Sequence, residues 1–169
     1  CGEREQYLLF QEEFEDETVI GDVTASYAFG GVELTSITSL ISRDIIVSRD
    51  ASALTGSISD DIGLTDAQVQ LKSNLLDTTQ LNQITQETRL ASTGEGPLQW
   101  LVGAFYSNID RDYSQTLPTP GYAAALGGPV GGTANPDSPY NSFLTYDITQ
   151  KALFGEATYD FGQFKATGG

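Results

Sequence analysis

The side chains of this chain that could do chemistry are mostly carboxylates. Asp and Glu total 23 against eight Lys and Arg, the formal net charge is −15, and histidine is absent. Histidine is the commonest general base and metal ligand. Without it, neither a Ser-His-Asp nor a Cys-His nucleophilic set can be assembled in this segment, and haem or zinc sites built on His are excluded. Carboxylates remain as hard-cation ligands. Asp60-Asp61, Asp66 and the acidic run over 12–17 offer oxygens, but not at the twelve-residue loop spacing of a calcium site. Solvation is the better reading, and no metal or cofactor is expected. No Gly-rich phosphate loop opens a helix. A surface this acidic repels nucleic acid, whose phosphates need Lys and Arg.

Two other groups of residues could act by binding. Tyr113, Tyr122, Tyr140, Phe143 and Tyr146 lie on or beside a Pro- and Gly-rich stretch at 116–146. Aromatics among Gly, Pro and Asn suit an adaptable ligand-binding loop; alternatively they pack on one another. Asp22, Glu87, Arg89 and Glu156 are charges inside strand-like alternation, with Glu87 and Arg89 spaced to pair on one strand face. Residues 1–17 hold Glu3, Glu5, Glu12, Glu13, Glu15, Asp16 and Glu17 against Arg4, which reads as a solvated loop or strand extension.

The elements that must position these residues are strands. Residues 18–29 alternate, with Val19, Gly21, Val23, Ala25, Tyr27 and Phe29 on one face. Gly30-Gly31 turns the chain into a strand over 32–49. Residues 50–79 read as a long loop with a short helix near Asp66–Leu71. Strands follow at 80–92 and 98–115 around a turn at 93–97. The facing of 98–115 is ambiguous: Leu101, Gly103, Phe105 and Ile109 compete with Trp100, Val102 and Tyr106 for the apolar face. After the loop at 116–146 a strand runs over 147–161, with Leu153, Gly155, Ala157, Tyr159 and Phe161 on one face. Gly162-Gln163 turns into a last strand. Connections alternate short, long, short, long, short, which puts all short turns at one end of an antiparallel up-and-down meander.

One segment occurs twice. Residues 24–35, TASYAFGGVELT, match 156–167, EATYDFGQFKAT, at a constant offset. Each is a hairpin with Tyr-x-Phe before a Gly turn. Tyr27, Phe29, Tyr159 and Phe161 are therefore placed as a transmembrane barrel places aromatics at the membrane–water interface, beside short periplasmic turns. No apolar run approaches the length of a membrane helix, which leaves a membrane barrel open. One cysteine, Cys1, precludes an internal disulfide; Cys1-Gly2 also resembles the start of a mature bacterial lipoprotein.

Four stretches carry a family resemblance. LTSITSL at 34–40 is similar to the "LTSITxY" strand of TonB-dependent receptors, the outer-membrane importers of Gram-negative bacteria. ITQETRLAS at 84–92 resembles their "FSQELRLAS". GPLQWLVGAFY at 96–106 resembles "xLxWxxGxFY", and ALFGEATYDF at 152–161 resembles "ALFGEATYxF", with KATGG leading towards "GLRY". They occur in the family's order. Leu40 departs from the usual aromatic, and the plug domain and the segment that engages the energy-transducing protein are not represented. The resemblance implies that residues 1–169 are an all-β partial segment of a large transmembrane β-barrel, in the outer membrane, and not an enzyme. It implies outer-membrane lipid, the plug domain, the TonB complex and a small-molecule ligand such as a ferric siderophore as partners. Asp22, Glu87, Arg89 and Glu156 would face the lumen. The rival is a soluble, secreted or lipid-anchored β-sandwich binding module, which would bury Val19, Val23, Leu153 and Ala157 against a second sheet.

Overall fold

The computed structural model describes residues 8–61, 63, 65, 70–128 and 137–169. Six strands form one sheet: β1 Glu13–Phe29, β2 Val32–Asp50, β3 Asn74–Ser92, β4 Leu98–Thr116, β5 Asn141–Asp160 and β6 Lys165–Gly168. Their order in the sheet is their order in the chain, and the pairing is antiparallel throughout. The protein is an all-β antiparallel meander, as its alternation predicts. Among the described residues, two helices, α1 Ser52–Asp61 and α2 Tyr122–Leu126, sit in the long connections.

Several boundaries differ from the sequence reading. β1 starts at Glu13, so the acidic residues 13–17 are a strand extension, exposed along its length. β3 starts at Asn74 and β5 at Asn141, which shortens both long loops. A helix occupies 52–61, where irregular loop is expected; the expected helix near Asp66–Leu71 falls largely on residues 66–69, outside the described residues, as do Cys1, Glu3, Arg4 and Glu5. The helix begins where it does because Asp50 Oδ1 accepts the Ser52 amide at 2.9 Å and Ala51 O accepts the Thr55 amide at 3.0 Å. These bonds satisfy donors that a helix start leaves open.

The contacts divide the chain into two compact units. One holds residues 43–80 and 112–145 with the first seventeen; the other holds 18–42, 81–111 and 146–169. The first therefore gathers both long connections, and we call it the loop unit. The second gathers the three short turns, and we call it the turn unit.

In the turn unit, Gly30 and Gly31 both have positive φ, 57° and 82°. That is the requirement of a two-residue type I′ hairpin, which only glycine and a few polar residues meet without strain. The turns are tied sideways. The Thr93 amide donates to Gly31 O and the Asp160 amide to Pro97 O, both at 2.8 Å. The repeated segment is repeated in structure as well. Ser26 and Thr35 hydroxyls lie 3.3 Å apart, and their counterparts Thr158 and Thr167 lie 2.8 Å apart. Tyr27 stacks on Phe29 at 5.8 Å, and Tyr159 meets Phe161 at 4.6 Å, with Phe164 stacked on Phe161.

One close approach fixes β4 against β5. A Cβ on Gly103 would overlap Phe154 Cζ, because the Phe154 ring lies over the glycine. The ring covers backbone that a side chain would otherwise shield. Replacing Gly103 with Val should destabilise the sheet by about 1–3 kcal/mol, the usual cost of overpacking. Adding Phe154→Ala should recover much of that loss. Denaturant unfolding of the four species of this cycle gives the coupling; additive effects would mean that the ring does not occupy this position.

Candidate functional site

Side-chain contacts between strands define two faces in the turn unit. Ser26 meets Thr35, Gln83 meets Ser107, Arg111 lies 5.7 Å under the Tyr146 ring, and Phe154 covers Gly103. Strand alternation extends this set to Asp22, Glu33, Glu87, Arg89, Glu156 and Asp160. Thr38 and Ser36 bond to Gln86, and Asn108 bonds to Asp147 and Thr149, on the other face. That face carries Val19, Val23, Tyr27, Leu40, Ile84, Trp100, Val102, Tyr106, Leu153, Ala157 and Tyr159. The ambiguity of β4 is thereby resolved. Trp100, Val102 and Tyr106 join the apolar face, and Leu101, Gly103, Phe105 and Ile109 lie with the charges.

Asp22, Glu87, Arg89 and Glu156 thus share one face, and Arg89 Nη1 lies 3.5 Å from Glu87 Oε1. Over the ten residues of each long strand next to the short turns, the apolar face carries a single charge, Lys151, at the far limit of that stretch. Nothing in the chain covers this face among the described residues. Leu153 is 88% exposed, Val19 71% and Val23 69%. The four aromatics Tyr27, Phe29, Tyr159 and Phe161 are exposed beside the turns.

The loop unit is built differently. Its buried residues are mostly hydroxyl-bearing: Ser52, Thr55, Ser59, Ser73, Thr119 and Ser138, with Ala51, Leu117 and Tyr122. Ser73 Oγ lies 2.9 Å from Thr119 Oγ1, and Ser138 Oγ accepts the Leu117 amide at 3.0 Å. Tyr122 is a correction to the sequence reading. It is 3% exposed, and its hydroxyl lies 3.2 Å from Ser59 Oγ, so it ties α2 to α1 instead of presenting itself to a ligand. Tyr140 and Phe143 are exposed. Phe143 and Tyr113 lie on opposite faces, because Thr145, on the Phe143 side of β5, bonds Asp112, next to Tyr113 in β4. Tyr146 belongs to the turn unit, against Arg111. The five aromatics do not form one cluster.

The centre that sequence reasoning missed is Asp77, 7% exposed on β3. Its Oδ1 accepts the Tyr113 hydroxyl at 2.7 Å and Gln115 Nε2 at 2.6 Å, and its Oδ2 accepts Arg49 Nη2. Burial pushes the carboxyl upward, but the three donors together outweigh it and hold it below the ordinary carboxylate value. The same contact pushes the Tyr113 hydroxyl up. No local motif marks such a residue, since its three partners come from β2 and β4. A second hub is Asp50. It receives Ser52 and the amides of Leu9 and Phe10, and its own amide donates to Glu12. The Ser52 hydroxyl foremost, and then these amides, against a push upward from burial, bring its carboxyl to about 2 from 3.8.

No protein-family model, curated protein or solved structure matches this chain.

Two outcomes follow for the loop unit. Asp77→Ala removes the acceptor of three donors and should cost about 1–3 kcal/mol in denaturant unfolding; a loss under about 0.5 kcal/mol would contradict the hub. Asp50 has a depressed folded-state pKa, so its contribution is intact above the ordinary value and is lost as pH falls from 3.8 to about 2. A carboxyl-carbon NMR titration should place its midpoint near the lower figure, and a midpoint at the ordinary value would contradict these contacts.

Proposed function

We propose that this chain contributes six strands to the β-barrel of a TonB-dependent outer-membrane importer, which binds a scarce nutrient such as a ferric siderophore and passes it through the barrel lumen. The reading is a transporter, not an enzyme. The single observation that carries it is the uncovered apolar face of the turn unit, bounded by Tyr27, Phe29, Tyr159 and Phe161 and backed by a charged face. In a bilayer a charge at lipid depth costs a few kcal/mol, so a barrel keeps its charges on the lumen side. Asp22, Glu87, Arg89 and Glu156 fit that side. The grouping of three short turns in one unit and two long connections in the other fits short periplasmic turns and long extracellular loops. The sequence motifs named above supply the family.

In this reading Tyr140 stands on an outer loop as a ligand contact and Tyr113 borders the loops. Outer-membrane lipid covers the apolar face, the plug domain fills the lumen, and the TonB complex acts through the plug. The β-sandwich reading is weaker, because among the described residues no second sheet lies against Val19, Val23, Leu153 or Ala157.

The test is the behaviour of the chain in water. Without lipid the apolar face and the free edges of β1 and β6 invite association. Size-exclusion chromatography should give a monodisperse species only with detergent. A detergent-free monomer with strongly protected strand amides would overturn the importer assignment.

A further inference from the structure

The apolar face of the turn unit contains one cation. Lys151 lies on β5 directly across from Tyr106 on β4, following the pairing set by Arg111 with Tyr146 and Gly103 with Phe154. Among the described residues it has no carboxylate within ion-pair distance. Beside it is a groove of about 370 Å³, lined on this face by Gln86, Thr88, Ala104, Tyr106, Lys151 and Leu153. Ala104 leaves the groove its depth. Gln86 is internally satisfied, bonding Ser36, Thr38 and Thr88, so it presents little unmet polarity to an apolar occupant.

The position of Lys151 along the strand is informative. From Tyr159, beside the turns, to Lys151 is eight residues. At ~3.3 Å per residue and a barrel tilt of ~40°, that is about 20 Å along the membrane normal, close to the ~25 Å apolar band of outer-membrane barrels. Tyr106 and Lys151 therefore mark the second edge of the band, where an amphipathic ring and a lysine amine meet headgroups. Beyond them the same face turns acidic, with Asp110 and Asp147. An anion is repelled from that zone and attracted at Lys151 alone.

We infer that Tyr106 and Lys151 form a lipid-binding site on the outward face. The lysine amine binds the phosphate of an anionic phospholipid, one with no headgroup cation to neutralise it, and one of that lipid's acyl chains lies in the groove over Ala104 and Leu153. The inference rests on the barrel reading and extends it to a lipid of defined chemistry, chosen by charge complementarity.

Trp100, the only tryptophan of the chain, lies on the same face of β4, closer to the turns than Tyr106. A chain descending from Lys151 passes towards it. The protein is reconstituted in phosphatidylcholine vesicles doped with either phosphatidic acid or phosphatidylcholine brominated near the chain ends, and Trp100 quenching is measured. Phosphatidic acid should quench at roughly fivefold lower content than phosphatidylcholine, the effect of one basic residue at an anionic lipid surface. Lys151→Gln should abolish the difference and Lys151→Arg should keep it. Equal quenching by the two lipids, or a preference that survives Lys151→Gln, would overturn the site while leaving the barrel intact. Absence of quenching by either lipid would overturn both.

Discussion

A sheet in water must hide its apolar face, and the turn unit of this protein leaves that face exposed. Its backbone groups are satisfied by the ladder of the meander and by the sideways bonds between turns. The side chains of its apolar face are not covered. Leu153, Val19 and Val23 project from the sheet, with no partner layer among the described residues. Apolar area of this extent costs ~25 cal/mol per Å² to leave in water, and single soluble domains seldom expose it contiguously. The alternation that creates the face also removes charge from it, leaving Lys151 at its limit. The constraint behind the structure is thus the separation of an exposed apolar face on one side of the strands from the charged residues on the other.

The loop unit answers the opposite demand. Its interior is a set of hydroxyls bonded to one another and to backbone: Ser59 to Thr55 O, Ser73 to Thr119, and Ser138 between Leu117 and Tyr140. Buried polar groups of this kind specify geometry more than they drive collapse, because each is costly only when unpaired. Asp77 with Arg49, Tyr113 and Gln115 anchors the strand ends from which the loops spring. Long connections that would otherwise sample many conformations are thereby held at defined starting points.

Periodicity made part of this legible. The alternation over 18–29 and 147–161 and the glycines at 30–31 and 162 were sufficient to read strands, turns and the repeated hairpin, since each signal is local. The ends of the long strands were not readable, because NLLDTTQ at 74–80 breaks period two and is held in the sheet by partners such as Ser48 and Ser114. α1 carries no helical signal in sequence because Ser, Gly and Asp dominate it, and its start depends on Asp50. The aromatics near the second long loop are neighbours in sequence. Folding separates them: Tyr122 becomes core, and Phe143 and Tyr113 take opposite faces. Asp77 was invisible because its partners lie 28 to 38 residues away.

The central claim is that consecutive residues of β5 see different solvents. It is tested most directly by placing a nitroxide at each position from 151 to 160 in the protein reconstituted in bilayers, and measuring accessibility to oxygen and to a water-soluble nickel chelate. The account predicts period-two behaviour, with positions 153, 155 and 157 accessible to oxygen and shielded from nickel, and positions 154, 156 and 158 the reverse. Uniform access to the nickel chelate on both faces, or exclusion of both probes from positions 153 and 157, would contradict it.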